Sequence, residues 1–357
     1  MNSKENGAPV AVIGSGSFGT AIANILAENN VVLLYTRRDD VAANINKSHE
    51  HNNQKINPRI TATTRIEHIT GECKLIFPIV PSANFRDMIK NFSPSLHKDH
   101  ILIHGTKGFD VNLPEGKKFA RQDASAGESI PLSREQVRTM SEVMLEESSV
   151  EKVGCLAGPN LVGELAAGQP AATVVGSRYD EVIKEGQKAL KSSRFKVFGT
   201  HDLTGVELAG VLKNVMAIGS GILSGLGFGD NARALLITRG LAEMMHLGKV
   251  LGAAQQAFFG LSGVGDLVAT CSSKLSRNFT VGHRIAKGEN LEAILSSMNE
   301  VAEGLNTIKV TKGLADHYKI RVPITQTLYK VVYEGLTAEE GMKYLMDYPF
   351  NIDVDFL

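Results

Sequence analysis

Lys213 is the only charged side chain in a long apolar run, and it is the residue of this chain best suited to moving a proton. The run covers residues 208–229, LAGVLKNVMAIGSGILSGLGFG, and Asn214 is its only carboxamide. An unpaired buried ammonium is very costly, so this lysine must either extend to water at a helix end or be held in a site. A near-central lysine and six glycines argue against a membrane-spanning helix. We therefore interpret the run as the floor of an active site, where desolvation lowers the pKa of Lys213 toward neutrality.

Two further polar residues stand where ligands usually bind. Lys107 follows the predicted strand at 101–104, and ligands of open α/β sheets bind beyond the carboxyl ends of strands. Asp266 is the acidic residue of the glycine-rich stretch GVGDL at 263–267. It could bind a substrate hydroxyl, pair with Lys213 or cap a helix.

The sequence Ser276-Arg277-Asn278 precedes a predicted helix and could form an anion site. Ser276 is a typical helix cap, and Arg277 and Asn278 then stand at a positive helix N-terminus. This pattern fits a grip on a phosphate group of a substrate or cofactor. Simple capping beside a surface arginine fits the pattern equally well.

A glycine loop near the N-terminus indicates dinucleotide binding. An apolar strand at 10–13 leads into GSGSFG at 14–19, which matches GxGxxG before an Ala-rich helix. In this fingerprint Gly14 permits a tight turn, Gly16 lets a pyrophosphate approach the backbone, and Gly19 lets the helix pack closely on the strand. The alternative is a glycine-rich turn without a ligand.

The residues after the second predicted strand bear on the choice of cofactor. NAD sites usually carry Asp or Glu there, whereas this chain has Arg37 and Arg38, followed by Asp39 and Asp40. Two guanidinium groups suit a 2′-phosphate better than a bare ribose diol. We therefore expect NADPH to be favoured over NADH, unless the arginines belong to an ordinary solvated loop.

Composition narrows the class of protein. The 357 residues include 38 basic and 38 acidic residues, so no strong net charge favours nucleic acid or an anionic membrane as a partner. Cys73, Cys155 and Cys271 are far apart, and the histidines show no metal-ligand spacing, so we expect neither disulfides nor a metal. Residues 1–8, MNSKENGA, lack the apolar segment of a secretory signal. These features predict a cytoplasmic, reduced protein that is not membrane-embedded.

The elements that must position these residues fall into two groups. Short apolar segments predict strands at 10–13, 31–35, 60–64, 75–80, 101–104, 153–156, 172–175 and 195–198. Helical segments lie between them, for example 17–28 and 83–91. This alternation is typical of an α/β fold with a doubly wound, mostly parallel sheet of the Rossmann type. Later segments predict only helices, at 232–251, 277–287, 291–298, 307–318, 324–334 and 338–346.

We therefore expect an NAD(P)-binding Rossmann domain over residues 1–200 and an all-α substrate domain over residues 201–357. The polar segment at 111–135, with two prolines and little periodicity, predicts a surface insertion in the first domain. It could be a lid over a site or a solvated excursion.

The motifs together resemble the NAD(P)-dependent glycerol-3-phosphate dehydrogenases of the bacterial type. The similar stretches lie at 14–23, 105–110, 157–170, 205–244, 263–278 and 301–309, within about residues 10–348. The block from GVELAGVLKN at 205 to SRN at 278 is the most specific. The resemblance implies reversible reduction of dihydroxyacetone phosphate to sn-glycerol 3-phosphate, a precursor of glycerophospholipids.

The resemblance also implies roles for residues at matching positions. Lys213 matches the catalytic proton-transfer lysine, and Lys107 a lysine that touches both substrate and cofactor. The implied substrate contacts are Gly158, Asn160, Asp266, Ser276, Arg277 and Asn278. The implied cofactor contacts are Ser17, Phe18, Arg37, Val162, Arg277, Val301 and Glu303, to which the glycine loop and Arg38 are added.

The chain departs from the family pattern at three places. Asn160 replaces Ser or Thr, Val162 replaces Ala, and the 111–135 segment is longer than usual. The rival interpretations are a two-domain reductase of 3-hydroxy or 2-oxo acids and a non-catalytic NADPH-binding protein. The second would have no use for Lys213, Asp266 and Arg277 together. A homodimer is also expected.

Overall fold

The computed structural model describes residues 8–113, 130–298 and 300–349. They fall into two units. The first lies within Met1–Thr106 and Met140–Leu203, and the second within Lys107–Thr139 and Thr204–Leu357.

The strands of the described residues follow the predicted apolar segments, with four short additional strands. They are β1 (Val10–Ile13), β2 (Val32–Tyr35), β3 (Glu50–His51), β4 (Gln54–Lys55), β5 (Ile60–Thr63), β6 (Leu75–Pro78), β7 (Ile101–His104), β8 (Asp110–Val111), β9 (Val137–Arg138), β10 (Lys152–Ala157), β11 (Ala171–Ser177) and β12 (Phe195–Thr200).

The first unit is built on an eight-stranded sheet in the order β12-β11-β10-β7-β6-β1-β2-β5. Its neighbours pair in parallel, as in Val10↔Val32, except β10 and β11, which are antiparallel. The expected doubly wound, mostly parallel sheet is therefore confirmed. Because β1 and β2 run side by side in parallel, the glycine loop after β1 and Arg37 after β2 leave the sheet at the same edge.

Each predicted helical segment overlaps a helix, and the described residues hold further helices that were not predicted individually. The helices are α1 (Ser17–Leu26), α2 (Asp39–Ser48), α3 (Ile66–Glu72), α4 (Phe85–Phe92), α5 (Met140–Glu147), α6 (Val162–Ala166), α7 (Asp180–Leu190), α8 (Leu203–Gly225), α9 (Asp230–Val250), α10 (Gln256–Phe259), α11 (Asp266–Ser272), α12 (Arg277–Ala286), α13 (Leu291–Ser296), α14 (Glu303–Tyr318), α15 (Pro323–Tyr333) and α16 (Ala338–Met346).

Helix α8 forms the centre of the second unit. It is long and apolar enough to cross a membrane by length and composition, but the whole of its most apolar window is buried inside the protein. Its glycines allow close packing: a Cβ on Gly221 would lie 2.0 Å from the carbonyl oxygen of Phe279 in α12. In return, a Cβ on Gly282 of α12 would lie 2.0 Å from the carbonyl oxygen of Ile218. Gly221 of the apolar run therefore serves the close packing of α8 against α12 in a protein core.

The boundary between the two units differs from the expected one near residue 200, because a segment before residue 140 belongs to the second unit. Of the residues expected in the first domain, the described residues 107–113 and 130–139 lie in the second unit. Leu132 is buried in the core that contains α8, and its N–H donates to the Gly313 carbonyl over 3.0 Å. Strands β8 and β9 form a small antiparallel ribbon in this segment, which adds to the otherwise helical unit. Most of the expected insertion, residues 114–129, lies outside the described residues.

Candidate functional site

The buried amine of Lys213 is held by two groups on α11. It donates hydrogen bonds to Asp266 Oδ1 and, over 2.5 Å, to Thr270 Oγ1. The other oxygen of Asp266 accepts from Lys107 Nζ at 2.7 Å. One carboxylate therefore bridges two lysine ammonium groups, and this compensates for the burial of Asp266, whose side chain is only 2% exposed. Of the alternatives for Asp266, the structure shows pairing with Lys213.

The backbone before α11 explains how Asp266 reaches this position. Residues Leu261–Gly265 form a π-helical turn that runs directly into Asp266, the first residue of α11. A Cβ on Gly263 would lie 2.0 Å from the Phe258 carbonyl oxygen, so the turn requires glycine there. Thr270 then follows Asp266 by one helical turn, and its hydroxyl donates to the Asp266 carbonyl at 2.6 Å. Thr270 was not identified from the sequence, although its i+4 spacing from Asp266 was a usable signal.

Burial sets the acidity of Lys213. Desolvation lowers the pKa of this amine to about 8, against the opposing charge of Asp266, and the nearby charge of Lys107 lowers the pKa further. The amine is thus able to give up and regain a proton near neutral pH. A general acid–base group is most effective with such a pKa.

A second polar cluster links α8, the helix that carries Lys213, to α12 and α14. The Asn278 side-chain amide donates to Asn214 Oδ1 at 3.0 Å, and its oxygen accepts from the Gly304 N–H at 3.0 Å. Asn278 therefore joins α12 to α8 and α14 while remaining buried. Much of its hydrogen-bonding capacity is used within the protein, so it can offer a ligand only its remaining donor and acceptor positions.

The N-terminus of α12 has the expected cap. Ser276 Oγ accepts from the Phe279 N–H at 3.3 Å, and Arg277 begins the helix. Arg277 is paired with Glu300, and this guanidinium is 44% exposed. Val301 precedes α14, and Glu303 is the first residue of that helix. Of the site residues predicted in the second unit, Lys107 and Lys213 therefore both contact Asp266 directly.

The glycine loop of the first unit has the geometry that dinucleotide binding requires. Gly14 has φ +116°, and a Cβ there would lie 2.1 Å from the Ile79 carbonyl oxygen. A Cβ on Gly19 would lie 2.0 Å from the Gly14 carbonyl oxygen. At Gly16, the N-cap residue of α1, no atom of the described residues apart from its own and those of its two chain neighbours lies within 4 Å of the place that a Cβ would occupy. Internal packing therefore requires glycine at 14 and 19, whereas glycine at 16 leaves the space that a pyrophosphate would fill.

The two arginines after β2 differ in their surroundings. Arg38 forms an ion pair with Asp40, and both side chains are largely exposed. Asp39 accepts a hydrogen bond of 2.6 Å from the Thr64 hydroxyl. Arg37 forms no ion pair with any residue that the structure describes. Of the two guanidinium groups, Arg37 is thus the one without a carboxylate partner among those residues.

The other predicted residues of the first unit lie beside the glycine loop or near β11. Phe18 is so close to Gly105 that a Cβ there would lie 3.0 Å from its ring. Asn160 accepts from the Thr173 hydroxyl at 2.9 Å and donates to the Ala172 carbonyl at 3.2 Å. A Cβ on Gly158 would lie 3.0 Å from that same carbonyl oxygen. Val162 begins α6 and Ser17 begins α1.

In the part of the chain that the structure describes, no group of three or more His, Cys, Asp or Glu side chains is arranged to hold a metal ion. The three cysteines are buried, and none of them is in a disulfide.

Comparison with known proteins gives consistent similarities over both units. The family model for the NAD-dependent glycerol-3-phosphate dehydrogenase N-terminus matches residues 9–183, and that for the C-terminus matches residues 202–343. A glycerol-3-phosphate dehydrogenase [NAD(P)+] of Pseudomonas aeruginosa is 37% identical over 98% of this chain and 97% of its own length. One from Staphylococcus carnosus is 37% identical over 94% and 97%. The crystal structure of the Coxiella burnetii glycerol-3-phosphate dehydrogenase superposes with a TM-score of 0.82, at 30% identity over 96% of this chain and 99% of that one.

Proposed function

The chain belongs to the NAD-dependent glycerol-3-phosphate dehydrogenase family, and we propose that Lys213 is the residue that moves the proton in its reaction. The protein is an NAD(P)-dependent oxidoreductase. The family reaction is the reversible reduction of dihydroxyacetone phosphate to sn-glycerol 3-phosphate.

The observation that carries the proposal is the environment of the Lys213 amine. It is buried, it has a pKa of about 8, and Asp266 and Thr270 fix its position. A reduced nicotinamide held at the glycine loop would supply the hydride for C2 of the ketone. Lys213 donates a proton from Nζ to the oxygen that becomes the C2 hydroxyl, and the resulting neutral amine is reprotonated from solvent. In the reverse direction the neutral amine removes that proton.

Other basic and polar groups of the second unit are proposed to bind the substrate. Arg277 and Lys107 offer positive charge to the phosphate group, and the α12 N-terminus adds the N–H groups beside Ser276. Asn278 contributes its remaining hydrogen-bonding positions and is itself anchored by its hydrogen bond to Asn214, the chain neighbour of Lys213. In the first unit Gly158 and Asn160 are proposed as further substrate contacts.

For the cofactor, we propose NADPH as the favoured form, with no metal. The open space at Gly16 fits a pyrophosphate, and Gly14, Gly19, Ser17 and Phe18 shape the loop around it. Arg37 supports the choice of NADPH because its guanidinium has no carboxylate partner among the described residues and can bind a 2′-phosphate. Further proposed contacts are Arg38, Lys107, Val162, Arg277, Val301 and Glu303.

The proposed setting is a cytoplasmic homodimer that supplies glycerophospholipid synthesis. Several large apolar side chains of the second unit are exposed, and a second copy of the chain could cover them; they include Phe228, Leu235, Phe259 and Leu275. Light scattering after gel filtration tests this by comparing the mass in solution with that of one chain.

The experiment that tests substrate and cofactor together is an absorbance assay at the reduced-nicotinamide band. Dihydroxyacetone phosphate should be reduced with either cofactor, with a higher kcat/KM for NADPH. Inorganic phosphate should compete with the substrate, because the proposed site binds a phosphate group. A preference for 2-oxo acids, with no competition by phosphate, would instead favour a reductase of hydroxy or oxo acids.

A further inference from the structure

The β3–β4 hairpin contacts the glycine loop through side chains that neither the motifs nor the family resemblance assigns. His51 Nε2 lies 2.9 Å from the Ser15 carbonyl oxygen, and Asn52 Nδ2 donates to the same oxygen at 2.8 Å. Gln54 Nε2 donates to the Ser17 carbonyl at 3.0 Å. Because a carbonyl oxygen only accepts, the His51 ring must present an Nε2–H group to it.

The sequence of the hairpin explains how it presents these donors. The strands pair Glu50 with Lys55 and His51 with Gln54, which leaves Asn52 and Asn53 as a two-residue turn. Both asparagines have positive φ, 50° and 56°. Tight hairpin turns of this kind favour asparagine because it tolerates the left-handed region. The turn thus directs the Asn52 amide to Ser15, and this amide also donates to the Thr20 hydroxyl at 3.3 Å.

The hydrogen bonds to the Ser15 carbonyl also fix the direction of the Gly16 N–H group. The Ser15 carbonyl and the Gly16 N–H belong to one planar trans peptide, so they point in opposite directions. Two donors from the hairpin fix that carbonyl, and the Gly16 N–H is thereby turned away from the hairpin at the start of α1. The first N–H groups of a helix have no partner one turn earlier in the chain and are free to bind an anion.

We propose that His51, Asn52 and Gln54 are positioning residues that hold the glycine loop in the conformation that binds the cofactor pyrophosphate. This inference rests on the proposed cofactor site. A loop held before binding does not have to be ordered when the cofactor arrives, so the contacts raise affinity without touching the ligand. The effect should be the same for NADPH and NADH, because both carry the same pyrophosphate.

The test compares Asn52→Gly with Asn53→Gly. Both variants place glycine at a positive φ in the same turn. Of the two asparagines, however, it is Asn52 whose side chain holds the Ser15 carbonyl. Kd is measured for NADPH, NADH and ADP-ribose, which carries the pyrophosphate without the nicotinamide. Asn52→Gly should raise all three Kd values roughly 5- to 10-fold, the size expected for one lost hydrogen bond to a group that must be held. Asn53→Gly should leave them unchanged.

Further measurements separate positioning from stability. Thermal midpoints of both variants show how far a change in Kd follows a loss of stability, and kcat of Asn52→Gly at saturating cofactor should equal that of the parent. The His51→Gln variant keeps a hydrogen-bond donor at this position. Its Kd values for the three ligands should therefore be lower than those of His51→Ala. Equal Kd values for Asn52→Gly and Asn53→Gly would overturn the inference while leaving the proposed function intact. A parent protein that bound none of the three ligands would instead overturn the proposed function.

Discussion

The proposed chemistry of this protein centres on one carboxylate that is shared by two lysines. A buried ammonium alone is costly, yet Lys213 lies in an almost fully apolar helix. Asp266 makes this possible because its two oxygens accept from different lysines, Lys213 and Lys107. The same arrangement prevents Lys213 from being fixed in its charged form, since burial and the second lysine both lower its pKa.

The pKa of Lys213, about 8, predicts opposite pH dependences for the two directions. Reduction needs the protonated amine, so kcat/KM for dihydroxyacetone phosphate should be constant below about pH 8 and fall as the pH rises through it. Oxidation of glycerol 3-phosphate needs the neutral amine and should rise over the same range. Initial rates between about pH 7 and 10 in both directions measure this. A reduction rate that increased through pH 8 would exclude Lys213 as the acid.

Two glycines of the loop should respond differently to the same substitution. For Gly16→Ala, the described residues leave room for the added methyl group, so the thermal midpoint should stay near that of the parent. The methyl would occupy the proposed pyrophosphate space, and the Kd for NADPH should rise roughly tenfold or more. For Gly19→Ala, the methyl would collide with the Gly14 carbonyl, and the thermal midpoint should fall. Calorimetry and ligand titration together test the contrast; unaltered NADPH binding by a folded Gly16→Ala would contradict it.

At the scale of elements, the register between α8 and α11 determines whether Lys213 meets its partners. Ser220, two turns after Lys213, donates a hydrogen bond of 2.6 Å to the Cys271 carbonyl, next to Thr270. Both ends of this contact are fully buried. It links the helix that carries the amine to the helix that carries Asp266 and Thr270. A shift between these helices would separate the amine from both groups.

Ser220→Ala should therefore reduce kcat by roughly tenfold, because small displacements of reacting groups are costly. It should also move the pH midpoint of reduction away from that of the parent. Ser177→Ala is a matched control, since its hydroxyl is equally buried and donates over 2.6 Å from β11 to the Val153 carbonyl in β10. Both variants should lower the thermal midpoint, but only Ser220→Ala should change kcat and the pH profile. The same kcat for the two variants would show that the Ser220 contact is merely structural.

At the scale of the whole molecule, the residues proposed for cofactor binding and for proton transfer lie in different units. The glycine loop and Arg37 belong to the first unit, whereas Lys213, Asp266 and Thr270 belong to the second. Each unit has its own buried apolar core. Binding of the dinucleotide through its pyrophosphate and transfer of the proton should therefore be separable by mutation.

Lys213→Ala should lower turnover by about 10²–10⁴-fold, the usual contribution of a positioned acid or base. NADPH should still raise its thermal midpoint by as much as it raises that of the parent, since a ligand stabilises the state that it binds. Differential scanning fluorimetry over a range of NADPH concentrations, beside the absorbance assay, measures both properties. Near-normal turnover in this variant would refute the assigned role.

Much of the fold could be predicted from local patterns in the sequence. The eight long strands and the helices follow apolar runs and their periodicity, because those depend on neighbouring residues. The glycine loop was equally visible, since its strand, turn and helix are contiguous. The described residues 107–113 and 130–139 group with the second unit and not with the first, because burial of Leu132 beside Gly313 depends on a contact between distant parts of the chain.

The sequence by itself determined that Lys213 needed a compensating partner, since the cost of a buried charge follows from the residue type and its apolar neighbours. Only the tertiary structure decided what that partner is. Asp266 and Thr270 lie more than fifty positions away, and Asp266 had three possible roles until the packing of α8 and α11 was known. The contact between His51, Asn52 and the glycine loop was hidden for the same reason. A hydrogen bond requires two groups to meet in space, and residues that are remote in sequence meet only when the chain is folded.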